Sequence, residues 1–240
     1  MANTDYVREN RITQELARDC SRRRKYVAYI GLPLALAASA LYPAGVLLWF
    51  GMVGILLLAA GYRDRSRVSG AAGENYSLGI LKQLPDTYTI FYQVCLPDPR
   101  SSTGERELDF IVCGPNGVFV VESKSHNGVL EGGPDDRRWT IHKVGRGGTA
   151  YRDTVRNPIK QVRQQVHLLS AYLKDHGVRV WVTGAVALSR DNSLERVDGG
   201  GIPIIPSTDL TAFLLAHRPD QSPRESHIAQ SIRAIAALVG

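Results

Sequence analysis

Three charged residues stand where charges are least expected. Asp109 lies within the apolar run ELDFIVC, and Glu122 and Lys124 close a second apolar run, VFVVESK. The turn signal Gly114-Pro115-Asn116-Gly117 separates the two runs, so residues 107–124 read as a β-hairpin. If Cys113 pairs with Val118, Asp109 faces Glu122 and Glu107 faces Lys124. Cross-strand partners share a face, so these four side chains project together. Leu108, Phe110, Val112, Phe119 and Val121 then take the core side. Two facing carboxylates repel unless a proton or a cation lies between them. Asp109 and Glu122 are hard oxygen ligands suited to Mg²⁺ or Mn²⁺, and the Ser123 carbonyl is a further donor. Lys124 supplies an ammonium that stabilises developing negative charge. This chemistry is that of metal-assisted phosphodiester hydrolysis. The structural alternative is that Lys124 alone neutralises the acids on a solvated strand face.

Charge distribution limits the partners. The chain carries 29 Lys and Arg against 23 Asp and Glu, a formal net of +6 over 240 residues. Residues 1–70 hold 10 basic and 5 acidic side chains, whereas residues 71–240 hold 19 and 18. A nucleic-acid surface in the larger part must therefore be a local patch, not a global field. Arg152, Arg156, Lys160 and Arg163 are spaced to form one. Three scattered cysteines (Cys20, Cys95, Cys113) build neither a disulfide framework nor a CxxC zinc site.

Residues 27–62 contain no charge in 36 positions. One straight membrane span takes about 20 residues, so this length suits two. Tyr42-Pro43-Ala44-Gly45 supplies the break, giving a transmembrane helical hairpin over residues 26–62 with arms near 26–41 and 44–61. The first arm is short and contains Pro33. Arg22, Arg23, Arg24 and Lys25 precede the hairpin, and Arg63, Arg65 and Arg67 follow it. Basic residues favour the cytoplasmic side, so both termini and the globular part are expected to be cytoplasmic at the cell (inner) membrane. A long polar lead and a second apolar arm argue against a cleaved signal peptide.

The remaining chain alternates strand and helix patterns. Residues 1–25 read as a polar cytoplasmic tail and 63–72 as a basic linker, leaving a domain over 73–240. A helix is expected over 73–84, where Glu74 sits in the first turn and suits the helix dipole. Strands follow at 87–96, in the hairpin, and near 129–130 and 139–143, with 144–156 as a loop. Asn157-Pro158 caps a helix with the stripe Ile159, Val162, Val166, Leu169 and Leu173. An apolar strand over 178–188, a short one at 202–205 and two closing helices complete an α/β fold, a mixed β-sheet flanked by helices.

The series Gly73-Glu74, ELDFIVCGPNGVFVVESKSHNG, Trp139 and Asn157-Pro158 with Gln161 resembles the nuclease-related domain (NERD) family, with its best match over 73–188. The resemblance implies placement in the PD-(D/E)xK nuclease superfamily with a restriction-endonuclease-like core. It implies Glu74 as a helix-borne acid near the metal, with Asp109, Glu122 and Lys124 as the core of the site. It also implies Gln161 as a polar residue on the following helix that faces them. Leu108 departs from the polar residue often found before the lead acid, which leaves Asp109 itself intact. His126 lies beside the site and is a candidate phosphate contact.

These observations support a membrane-anchored, Mg²⁺- or Mn²⁺-dependent nuclease acting on DNA, with RNA the lesser alternative. The rival is a catalytically silent membrane-anchored scaffold that binds nucleic acid or protein. Glycines 31, 45, 51 and 54 would also permit close helix packing in an oligomerising hairpin.

Overall fold

The computed structural model describes residues 1–62, 65–145, 147–190, 194 and 196–239. The chain divides into a helical unit, Glu9–Ala71, and an α/β unit, Met1–Arg8 with Ala72–Gly240.

The α/β unit begins earlier than the sequence pattern suggests. Strand β1 (Asn3–Tyr6) lies within the expected polar tail and pairs in parallel with β2 (Thr89–Pro97). Tyr6 stacks on Phe91 at 4.6 Å between ring centroids. Four residues give too short a run for periodicity to register, and their partner lies more than 80 residues away in sequence.

In the helical unit, α1 (Arg11–Tyr26) is capped by Asn10, passes through a π-turn at Val27–Gly31 and continues as α2 (Leu32–Leu41). A 3₁₀ turn at Pro43–Gly45 breaks the chain where expected, and α3 (Val46–Ala60) packs back on α2. Among the described residues one helix, Pro43–Ala60, is long and apolar enough to cross a membrane. The uncharged part of the first arm is too short to span about 30 Å at 1.5 Å per residue, and a transmembrane hairpin is not shown. Gly31 lies against Val53, while Gly51 and Gly54 meet nothing across the pair. The expected linker is instead helical, because α4 runs over Arg65–Leu81. Arg63 of the flanking basic cluster lies outside the described residues.

Two sheets form the α/β unit. The first has six strands in the order β1-β2-β3-β4-β8-β10, with β3 (Glu105–Gly114), β4 (Gly117–Lys124), β8 (Val182–Leu188) and β10 (Ile204–Pro206). Strands β2, β3 and β4 are antiparallel neighbours, whereas β4, β8 and β10 run parallel. The second has the order β7-β6-β5-β9, with β5 (Val129–Gly132), β6 (Arg138–Val144), β7 (Ala150–Arg156) and β9 (Arg196–Val197). The expected loop 144–156 thus contains an edge strand. Its AYRDTVR side chains are nearly all exposed, so no hydrophobic alternation marks it, and charged edges of this kind resist further pairing.

Both faces of the six-stranded sheet are covered. On one, Ile90, Tyr92, Phe110, Val112, Phe119 and Val121 pack with Leu78 and Leu81 of α4 and with α6 (Leu210–Ala216). On the other, Phe91, Ile111, Val118 and Val120 pack with α5 (Pro158–Asp175) and α7 (Glu225–Ala236). Asn157 caps α5 as expected, accepting from the Ile159 and Lys160 amides. Gly184 allows α5 close to β8, because a Cβ there would lie 2.3 Å from Val162 Cγ1.

Candidate functional site

The hairpin adopts the expected register: Cys113 pairs with Val118 and Phe110 with Val121. Pairing between β3 and β4 stops at Phe110, while β4 continues against β8 as far as Lys124 and Leu188. The strands part at the position of interest. There the Asp109 carboxylate accepts the Ser123 amide at 2.8 Å, replacing a ladder hydrogen bond with a side-chain one.

A backbone irregularity marks the same level of the sheet. Gln93, opposite Asp109 between the pairs Tyr92–Phe110 and Val94–Leu108, has φ of 53°. It is the one non-glycine residue with positive φ among the described residues. Successive strand residues normally point to opposite faces. Here Tyr92 Oη and Gln93 Nε2 both donate to Glu74 Oε2, each at 2.9 Å. The left-handed conformation turns Gln93 onto the side of its neighbour, and the strand parity changes with it. Phe91 belongs to the α5 face and Tyr92 to the α4 face, yet Val94 and Leu96 both pack on the α5 face. Leu108 follows them, so it does not share the α4 face with Phe110 and Val112 as the simple alternation predicts.

Helices from opposite sides complete the site. Glu74 arrives on α4, which Gly73 lets approach closely: a Cβ there would lie 2.4 Å from Ser189 Oγ and 2.5 Å from Ser125 Cβ. Ser77, one turn on, bonds to Ser123 and Ser207 at 3.1 and 2.8 Å, fastening α4 to β4 through buried hydroxyls. From the other face, Gln161 Nε2 donates to Glu122 Oε1 at 3.0 Å and Gln165 Nε2 to Glu122 Oε2 at 2.6 Å. Lys124 Nζ also bonds to Glu122 Oε1. Glu122 is 3% exposed and receives these charge-balancing and neutral donors on both oxygens.

The electrostatics follow from this crowding. Burial, then repulsion from Glu122, holds the Asp109 carboxyl well above the ordinary range, despite Lys124 and the Ser123 amide. Burial also raises the Glu74 carboxyl, aided by repulsion from Glu107 and Glu122, and the Tyr92 and Gln93 bonds offset only part of the rise. Burial would lower Lys124, but Glu122 and Asp109 together hold it above its ordinary value, so it is an ammonium and not a base. Burial and the neighbouring Lys124 and Lys143 push His126 down to about 4, leaving it uncharged at neutral pH.

Asp109, Glu122, Lys124, Gln161 and Glu74 thus come together in one electrostatic cluster. The expected metal trio of Asp109, Glu122 and Glu74 does not form a closed cage. Among the described residues no three His, Cys, Asp or Glu side chains are gathered so as to hold an ion. The reason is that Glu122 is held by Lys124 and the two glutamines, and Glu74 by Tyr92 and Gln93. Two buried carboxamide oxygens beside Glu122, those of Gln161 and Gln165, have no hydrogen-bond partner. Hard oxygens in surplus, with carboxyls raised by mutual repulsion, are a donor set that fits a hydrated divalent cation.

Gln165, Gln93 and Tyr92 are the residues the sequence analysis missed. Gln165 falls on the apolar stripe between Val162 and Leu169, and a polar residue there was a readable signal. Of the expected basic patch, Arg152 and Arg156 are exposed on β7, and Arg138 faces Arg156 across the ladder. Lys160 and Arg163 are instead occupied by the carbonyls of Asp135 and Gly200.

A sheet covered by helices on both faces, with acids and a lysine at the end of parted strands, defines the class as a nuclease-like α/β domain. Residues 69–189, just over half of the chain, match the family model described as the nuclease-related domain, and the chain belongs to the NERD family. No curated protein matches it. Among solved structures it is similar to the crystal structure of protein VC1899 from Vibrio cholerae, at 12% identity and a TM-score of 0.33. That likeness covers 98% of this chain and 58% of the other, so this chain spans less than two thirds of its length.

Proposed function

We propose that the protein is a membrane-anchored nuclease that hydrolyses phosphodiester bonds, DNA before RNA, with Mg²⁺ or Mn²⁺. The observation that carries this reading is the delivery of Asp109, Glu122 and Lys124 to one point by the parting of β3 and β4. Asp109 and Glu122 would hold the cation, with Glu74 further out, and a bound cation supplies charge neutralisation and a more acidic water. Gln161 and Gln165 fix the Glu122 carboxylate from the helix side, so its direction does not depend on the ion. Lys124, held protonated, places a positive charge where negative charge grows on a phosphoryl oxygen.

Membrane attachment is part of the proposal; the apolar helix Pro43–Ala60 supports it, and connectivity limits its topology. The chain leaves the α/β unit after Arg8 and rejoins it at Ala72. Whatever enters a bilayer between them must return to the same side, as a two-pass or re-entrant hairpin does and a single crossing does not. The basic residues 22–25 favour the cytoplasm for that side.

One observation favours the silent scaffold: both Glu122 oxygens are already satisfied without a metal. Calorimetric titration of the full chain in detergent with Mn²⁺ separates the readings. One site, lost in Asp109→Asn and Glu122→Gln, supports the nuclease; absence of binding to the wild type supports the scaffold.

A further inference from the structure

The near-balanced charge of residues 71–240 means that any anion-binding surface must be local, and a second one lies far from the acids. A cavity of about 380 Å³ opens at the other end of the six-stranded sheet. Its walls are the hairpin turn at Asn116 and Gly117, the approach to β8 through Arg179 and Trp181, and the connection from His217 to Arg224 and His227. Strand β4 starts beside this cavity and ends at Glu122 and Lys124, so the two sites lie roughly 20 Å apart at about 3.3 Å per residue.

Its chemistry is the reverse of the acidic cluster. No Asp or Glu lines it, and neither Arg179 nor Arg224 has an acidic partner among the described residues. The acids nearest in sequence, Asp175, Asp220 and Glu225, are exposed and lie outside the lining. Trp181 is 80% exposed between the buried Val178 and Val182, so a whole indole face is presented to solvent. The far wall is preformed. Tyr88 Oη donates to Asn116 Oδ1 at 2.8 Å, and Asn116 Nδ2 donates to the Leu214 and His217 carbonyls. The His217 ring sits edge-on against Phe119 at 5.1 Å. A braced wall lowers the ordering cost of binding.

We propose that this pocket binds a nucleotide, its phosphate on Arg179 and Arg224 and its base on Trp181. Guanidinium forks match phosphate oxygens, and an indole face stacks any base. The nucleotide is either free or one unit of a strand, and the site is independent of the carboxylate cluster. The test is calorimetry on the full-length chain in detergent with EDTA, using AMP, adenosine, inorganic phosphate and a short oligothymidylate. AMP is expected to bind about tenfold or more tightly than adenosine or phosphate, each of which makes half the contacts. Arg179→Ala, Arg224→Ala and Trp181→Ala should each weaken AMP by about tenfold, with circular dichroism unchanged because all three are exposed. Asp109→Asn should leave binding intact, which separates this site from the nuclease reading. Oligothymidylate binding with the same sensitivities, and none of AMP, would assign the nucleotide to a strand. No binding of either at millimolar concentration, or binding indifferent to all three variants, would overturn the proposal.

Discussion

Gln93 offers a quantitative test of how the site is built. At φ of 53° a non-glycine residue carries a steric cost of about 1–2 kcal/mol. In return its carboxamide reaches Glu74 Oε2 at 2.9 Å, a bond worth about 0.5–1.5 kcal/mol to a neutral acceptor and up to about 3 to a charged one. Gln93→Leu keeps the strain and loses the bond, so it should destabilise by about 1–3 kcal/mol. Gln93→Gly loses the bond but relieves the backbone, so it should be more stable than the leucine variant by about 1–2 kcal/mol. At about 2–4 °C per kcal/mol for a domain of this size, the glycine variant should melt roughly 2–8 °C above the leucine variant. Thermal unfolding of the full chain, followed by circular dichroism in detergent, reads this directly. Both variants should lower nuclease activity alike, as should Tyr92→Phe, because each removes one of the two bonds that orient Glu74. A leucine variant as stable as the glycine one would refute the claim that strain is held at this position.

Three further outcomes are expected. Gln165→Leu removes a bond to a buried carboxylate worth about 1.5–3 kcal/mol but also an unpartnered carbonyl costing about 1–3, so the two largely offset and denaturant unfolding should shift by no more than about 2 kcal/mol while activity falls. Raised Asp109 and Glu74 carboxyls mean that the metal-free folded chain binds more protons than the unfolded chain above pH of about 4. Stability therefore falls as pH rises through that window, and the melting temperature of wild type relative to Asp109→Asn should climb when pH drops from about 7.5 to about 5. Deleting residues 2–8 strips the Tyr6–Phe91 stack and the edge strand, which should cost about 2–3 kcal/mol by chemical denaturation. A fragment beginning after the helical unit should show the same loss.

What the sequence made legible was the part in which charge interrupts apolar pattern. Asp109, Glu122 and Lys124 stood out because strands otherwise rich in Val, Ile and Phe had no local reason to carry them. The hairpin register followed from four turn residues and proved correct from Gly114 to Phe110. The Asn157 cap and the α5 stripe were equally plain. Features that depend on distant partners were not. β1 has four residues and gains its place only from β2, and β7 is polar because it is an exposed edge. The switch at Gln93 was hidden because TIFYQVCL is apolar on both sides of the glutamine, so no break in alternation could show. Gln165 was visible as a polar residue on a buried stripe, yet its partner, Glu122, lies 43 residues earlier. The donors already on Glu122 and Glu74 were hidden for the same reason: sequence cannot tell which hydrogen bonds a carboxylate has already accepted.

The central claim is that the parted end of β3 and β4 cleaves phosphodiester bonds. Its most direct test is cleavage of linear and circular DNA by the full-length protein with Mn²⁺ or Mg²⁺, alongside Asp109→Asn, Glu122→Gln and Lys124→Ala purified in the same way. Wild type should cut only with the metal, and each variant should lose at least about a hundredfold. Equal cutting by wild type and variants, or no cutting with metal shown to be bound, would contradict it.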